Sequence, residues 1–388
     1  LLTEKNSLAM FGGKIKGDKV FNFSSRGGEL NKPDGLAPGI ASSTVPSYEK
    51  KDLFRGTSMA SPQVAGAMAV ILSAFQQEKT SGKEMNSGIL KRALKYSAKP
   101  LKDYGWVDQG GGVISVPDAY NTMKAYLKRG DGILMDYIVE TEAPTLAGTK
   151  GSAAFWRAGG FFPSGSEFQE FKVRPVFRKD AGSEQIENFY RTFTLDSSAP
   201  WLKPDRTKAY IKGNGDLAIR VFYDEKFFKG KTGVFTGKIT AYNGSMSKGK
   251  DAVEFELPAA VVIPEKFGGE KGYEKAFKNA TLDAGDIKRY FLSVPAGATS
   301  MIIDAEAPEK KYSMVYFYLF NQYGKFTPIK KSFINTNEGE KMSGVVSGND
   351  LTPGIYELIA YAPVSAPQSS SYDLYARFSG LGANLKGI

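Results

Sequence analysis

The 388-residue chain contains no cysteine and no histidine. Without cysteine there are no disulfides and no thiolate-bound metal. Without histidine as well, a transition-metal site loses its usual ligands. The missing imidazole also removes the side chain that most often moves a proton near neutral pH, leaving lysine as the only nitrogen base. By residue type, no apolar run approaches the roughly 20 residues that span a bilayer, so no membrane span is expected. One-sided charge is lacking too. Lysine and arginine number 51 against 41 aspartates and glutamates, a net charge of +10, but pairs such as Lys50-Lys51 and Lys91-Arg92 alternate with acidic residues. That pattern is a solvated surface and not a nucleic-acid stripe, so no nucleic-acid partner is expected.

What the chain does have is aromatic residues, 26 Phe and 20 Tyr, and one stretch of strong helical character. In Arg55-Gly56-Thr57-Ser58-Met59-Ala60-Ser61-Pro62-Gln63-Val64-Ala65-Gly66, continuing to Leu72, the residues Val64, Ala67, Met68, Ile71, Leu72 and Phe75 recur every three or four positions. Small residues fill the other faces, which predicts a helix buried on most sides. Pro62 suits only a first turn, and Thr57 or Ser58 can cap it, so the helix is expected to begin near Ser58. A serine there sits among unpaired N–H groups at the positive end of the helix dipole, where an oxyanion can be held. Gly56 and Ala60 keep its surroundings small. Taken alone, a serine before an apolar helix is also an ordinary cap.

Gly-Thr-Ser-Met-Ala-Ser-Pro-Gln-Val-Ala-Gly resembles the nucleophile motif of the subtilisin-like serine proteases, peptidase family S8. The upstream runs Phe23-Ser24-Ser25-Arg26-Gly27-Gly28 and Lys32-Pro33-Asp34-Gly35-Leu36-Ala37-Pro38-Gly39-Ile40 resemble that family's preceding loop and strand in the same order. The resemblance implies that Ser58 is the catalytic nucleophile, that its own N–H is one oxyanion donor, and that Thr57 and Gly56 line the oxyanion and substrate side. In this family Asp and His precede Ser along the chain. The 57 residues before Ser58 hold no His. The expectation is therefore that the sequence opens within a domain, that an upstream fragment carries Asp, His and the oxyanion Asn, and that this chain alone is inert. Asp34 is read as a loop carboxylate.

After the nucleophile helix, Ser81-Gly82-Lys83-Glu84 has the form of a capping box before a helix over 84–96. Gly110-Gly111-Gly112 is followed by no P-loop lysine. Together with Val116-Pro117-Asp118-Ala119-Tyr120, a helix expected to begin at Pro117, it resembles the close of a subtilase catalytic domain. From about Ile133 the period falls to two, in runs such as Phe168–Val173, Leu217–Tyr223 and Gly233–Tyr242, which predict strands around a Trp201 corner. A charged glycine stretch at 264–272 marks a boundary. Further β segments are expected at 285–298, Met314–Leu319, 353–361 and Tyr372–Phe378.

The predicted fold class is the C-terminal portion of an α/β subtilisin-like catalytic domain at 1–130, then two all-β sandwich or jelly-roll-like domains at 131–265 and 271–380. The last two resemble the region that follows the catalytic domain in tripeptidyl peptidase II. Function is read as serine peptidase chemistry through a Ser58 acyl-enzyme on a polypeptide substrate, either endopeptidase or N-terminal tripeptide-releasing. No cofactor or metal is expected in this chain, and the resemblance would place calcium in the upstream half. Homo-oligomerisation stays open, and secreted or periplasmic location is expected, or cytoplasmic for a tripeptidyl peptidase II-like enzyme. The alternatives are a catalytically inactive subtilase-fold scaffold and a sedolisin-type enzyme.

Overall fold

The structure, a computed structural model, describes all residues except 14, 43–52, 79–84, 130, 145, 147, 158–166, 270–272, 330–331, 337–340 and 381–388. Five helices come first: α1 (Glu4–Phe11), α2 (Thr57–Gln77), α3 (Ser87–Ser97), α4 (Trp106–Gln109) and α5 (Val116–Lys128). The glycine-rich beginning of the chain gives no sign of α1. It forms because the Thr3 hydroxyl accepts from the Asn6 N–H and Gly12, in a left-handed conformation, returns its N–H to Leu8. The run Lys19–Phe23 makes a single bridge from Lys19 to Leu2 and then turns with Phe21 stacked on Phe23. Pro117 does open α5 within its first turn. The helix expected at 84–96 runs Ser87–Ser97 and is capped by the Asn86 side chain on the Ile89 N–H. The Ser81–Glu84 capping box lies outside the described residues.

Helices α2, α3 and α5 meet in one core. Ile71 of α2 packs with Ile89, Leu90, Ala93 and Leu94 of α3 and Ala119, Met123, Tyr126 and Leu127 of α5. This is one face of α2 only. Ala67 and Ile71 are its buried residues, while Ala65, Gly66, Ala69 and Val70 are exposed, Val70 at 58%. The expectation of a helix buried on most sides is corrected. Three-and-four spacing locates the face that packs, but a run of small residues opposite it cannot say what, if anything, covers them. By length and composition alone α2 is apolar enough to cross a membrane, a test that core helices also pass, and its Ile71 face packs on α3 and α5, so it is no clear membrane span.

From Leu134 the chain is β-structure. One five-stranded antiparallel sheet has the order Lys150–Gly151, Leu134–Glu142, Gln169–Phe177, Leu217–Tyr223, Leu202–Pro204. The other has the order Ala154–Trp156, Val253–Ile263, Gly233–Asn243, Tyr190–Ser197, Lys208–Lys212, with its first pair parallel. Alternation turns Phe171, Val173, Ile219 and Val221 of the first toward Phe193, Leu195, Ile239 and Phe255 of the second, and Trp201 joins the same core. After Glu274 two more antiparallel sheets follow. One runs Glu274–Leu282, Ser370–Ser379, Ser300–Glu306, Lys341–Ser347. The other runs Ile287–Val294, Gly354–Tyr361, Met314–Phe320, Phe326–Thr327, with Phe333–Asn335 also on Met314–Phe320. Their inward residues share a second core around Leu292, Phe317, Leu358 and Leu374.

The three parts are joined by buried contacts. Trp106 and Val107 of α4 meet Phe155, Ala260 and Val262 of the first β unit and Phe291 and Ile355 of the second. The Trp106 indole N–H donates to the Ala259 carbonyl at 2.9 Å. Glu254, fully buried, is reached by Arg92 of α3 at 2.8 Å, Arg129 after α5 at 3.1 Å and Arg191 at 3.2 Å. The Tyr137 hydroxyl and the Asn243 amide donate to the same carboxylate. A second network links Arg26 to Asp108 and joins Arg289 and Arg157 to Glu357.

Candidate active site

Ser58 lies in the first turn of α2 and is exposed. Neither Thr57 nor Ser58 is the cap that the sequence suggests. The cap is Gly56, with no side-chain hydrogen bond, and the helix starts at Thr57. Gly56 has φ of 157°, a backbone that side-chain-bearing residues seldom adopt, although a Cβ there would find room, with Met59 Sδ and Ser58 N both 3.7 Å away. Glycine is needed at this turn for its conformation and not for space. The Met59 N–H closes the turn on the Gly56 carbonyl at 3.1 Å. The Thr57 and Ser58 N–H groups, at the very start of the helix, have no intrahelical acceptor. A carbonyl oxygen above Ser58 would meet free N–H donors at the positive end of the helix.

Two of the sequence motifs come together here. Ile40–Ser42 pairs antiparallel with Leu53–Arg55, aligning Ile40 with Arg55. The Gly56 N–H donates to the Gly39 carbonyl at 2.8 Å, and the Gln63 amide donates to the Pro38 carbonyl at 3.0 Å. The Pro38-Gly39-Ile40 run is thus the strand on which the serine turn hangs. The third motif sits farther off. The Gly27 N–H donates to the Val107 carbonyl, and Arg26 pairs with Asp108. Asp34 pairs with Lys32 and its carbonyl accepts from Gly111, consistent with a loop carboxylate.

The triple glycine is a packing device. A Cβ at Gly110 would lie 1.9 Å from the Pro33 carbonyl oxygen, at Gly111 2.2 Å from that of Lys95, and at Gly112 2.3 Å from that of Lys99. These approaches let the Gly112 carbonyl accept from the Leu36 N–H, tying α4 and α5 to the segment that leads into the serine turn.

Among the described residues no side chain is hydrogen-bonded to the Ser58 hydroxyl. A cleft of 770 Å³ at the junction of the three parts is lined by Lys19, Tyr104, Asp108, Asp286 and Arg289, and not by Ser58. The structure therefore presents a serine on a helix-start turn whose hydroxyl, among the described residues, is hydrogen-bonded to no base. One contact at this turn was not anticipated from sequence. The guanidinium of Arg55, three residues before Ser58, lies over the Phe11 ring at 5.2 Å. Leu53 packs on the same core as Tyr312 and Met314, at the start of the second β unit's Met314–Phe320 strand. No local pattern signals contacts between residues so far apart in the chain.

Residues 5–111 match the sequence model of the subtilase family. Pyrolysin of Pyrococcus furiosus is 25% identical over 366 residues, covering 88% of this chain and 23% of its own length. Tripeptidyl-peptidase 2 of Drosophila melanogaster is 27% identical over 304 residues, covering 74% of this chain and 20% of its own. The crystal structure of tripeptidyl peptidase 2 superposes with a TM-score of 0.65 at 21% identity, over 84% of this chain and 26% of that one. This last likeness is one of fold. The chain spans between a fifth and a quarter of the length of these curated relatives. Residues 5–111, the stretch that includes Ser58, match the subtilase model, and the chain is similar to pyrolysin and to tripeptidyl-peptidase 2.

Proposed function

We propose that this chain is the nucleophile-bearing part of a subtilisin-type serine peptidase. Ser58 Oγ attacks the scissile carbonyl while a histidine outside these 388 residues takes its proton, oriented by an aspartate outside them as well. The new C–O bond drives charge onto the carbonyl oxygen, which the Ser58 N–H and an asparagine from outside the chain hold. Thr57 and Gly56 shape that pocket. The C–N bond then breaks, the histidine returns the proton to the leaving amine, and water hydrolyses the acyl-enzyme.

The observation that carries this reading is the exposed Ser58 on a helix-start turn with free N–H groups, hydrogen-bonded to the Pro38-Gly39-Ile40 strand. In this reading the catalytic remainder spans 1–130, and the β units, 131–265 and 271–380, are sandwich domains that brace it. The absence of histidine from the chain also favours a second reading, a subtilase-fold scaffold without chemistry.

The test is hydrolysis by the parent polypeptide of peptides with free and with acetylated N-termini, with Ser58→Ala as control. Ser58-dependent cleavage supports the peptidase. Release of tripeptides from free N-termini alone marks an exopeptidase, and cleavage of both sets marks an endopeptidase. No cleavage by a folded parent protein overturns the peptidase reading and leaves the scaffold.

A further inference from the structure

The sheet of Ile287–Val294, Gly354–Tyr361 and Met314–Phe320 turns Val315, Phe317 and Leu319 inward to its core, so Tyr316, Tyr318 and Phe320 lie on the opposite face. That outer face has two halves. In one, Phe291 and Ile355 are buried against Trp106 and Phe155, with Arg289 and Glu357 in the charge network beside them. In the other, register places Tyr361 opposite Tyr316 and Ile359 opposite Tyr318. Here the rings form a strip. Tyr316 stacks on Phe333 at 4.1 Å and lies 6.5 Å from both Tyr318 and Tyr361, and Phe320 meets Phe326 edge-on at 5.9 Å. Tyr316, Tyr318, Phe320, Phe333 and Tyr361 are half-buried, and Phe326 is 52% exposed.

The strand that carries the strip starts on the core that also holds the strands leading into the serine turn. Tyr312 and Met314, at the start of the Met314–Phe320 strand, pack on the same buried core of Phe21, Ile40, Ala284 and Val364 as Leu53 of the strand before the serine turn. Three peptide units separate Arg55 from Ser58, at most about 11 Å between Cα atoms. The same sheet face is thus an interface with the rest of the molecule at one side and an aromatic surface at the other.

We propose that this strip is a substrate-binding surface, taking an extended stretch of polypeptide with aromatic or large aliphatic side chains at positions removed from the scissile bond. Rings offer a stacked, low-entropy surface for such side chains, and the core shared with the Leu53–Arg55 strand gives the surface a fixed position relative to Ser58. The proposal rests on the peptidase reading of Ser58. It adds a second β unit that selects substrate instead of only bracing the catalytic part.

The experiment compares, in the parent polypeptide, Tyr318→Ser/Phe320→Ser with the conservative Tyr318→Phe/Phe320→Tyr. The substrates are a short chromogenic peptide and a 20-residue peptide bearing Phe and Leu away from its single cleavage site. The serine pair is expected to lower kcat/KM for the long peptide about five- to tenfold through KM, with the short peptide unchanged and the conservative pair close to wild type. Thermal unfolding within a few degrees of wild type verifies that the variants fold. If the serine pair fails to fold, Phe326→Ser, whose ring is already half in solvent, replaces it in the same comparison. Equal kinetics on both peptides overturns the strip while leaving the peptidase reading intact. Absence of Ser58-dependent cleavage of either peptide overturns the peptidase reading itself.

Discussion

At the scale of single residues, the serine turn was legible because its requirements are local. A glycine that supplies an unusual φ, a serine in the first helical turn and a run of small residues all lie within eleven positions, whereas Pro62, expected in a first turn, stands inside α2 and leaves the Ser58 carbonyl without its i+4 donor. What sequence could not show is which buried polar groups pair across the chain. Tyr290 and Tyr372, 82 positions apart, share a hydrogen bond of 2.8 Å between hydroxyls inside the second β core. Burial pushes the Tyr290 hydroxyl up to about 12 and raises that of Tyr372 still further. A folded-state value above the unfolded one, near 10, means that the stability these groups contribute is complete below pH 10 and is lost as pH rises above it. Alkaline unfolding followed by circular dichroism is expected to steepen between pH 10 and about 12. Tyr372→Phe leaves one hydroxyl buried without its partner, and about 1–3 kcal/mol of stability at pH 7 is expected to go. Tyr290→Phe/Tyr372→Phe, which removes both hydroxyls, is expected to recover most of it.

At the scale of elements, the strands were legible and the helix environment was not. Leu217–Tyr223 was read with both ends right, and Met314–Phe320 within one residue, since period-two alternation is a property of the strand itself. Glu274–Leu282 escaped notice because a register shift between Phe277 and Ala280 breaks its alternation. For α2 the sequence located the packed face, Ala67, Met68, Ile71, Leu72 and Phe75, and misjudged the rest, because burial depends on neighbours that a local pattern does not contain. If the remainder of a catalytic domain covers the Ala65, Ala69 and Val70 face, the α2 amides should exchange with solvent at least tenfold more slowly in the parent polypeptide than in this chain alone. Equal exchange in the two would mean that nothing covers that face.

At the scale of the whole molecule, sequence gave an order of parts, while the structure shows what joins them. Arg92 reaches Glu254 across 162 positions, between an α-helix and a β-strand, and no pattern in either segment announces it. Removing the charge of this buried carboxylate leaves three guanidinium groups facing one another. Glu254→Gln is expected to cost about 3–5 kcal/mol and to destabilise the helices together with the first β unit. Chemical denaturation read by tryptophan fluorescence and by circular dichroism should then give coincident transitions at a lower midpoint. Two separated transitions in the wild-type protein would show that the parts unfold independently and that the Glu254 cluster does not couple them.

The central claim is that Ser58 is a nucleophile once a base from outside this chain is beside it. Its most direct test is reaction of the parent polypeptide with a fluorophosphonate, followed by mass mapping of the modified residue, with Ser58→Ala as control. Stoichiometric labelling on Ser58, lost in Ser58→Ala, is the predicted result. A folded, fully processed parent protein that takes up no label, or takes it up at another residue, would contradict it.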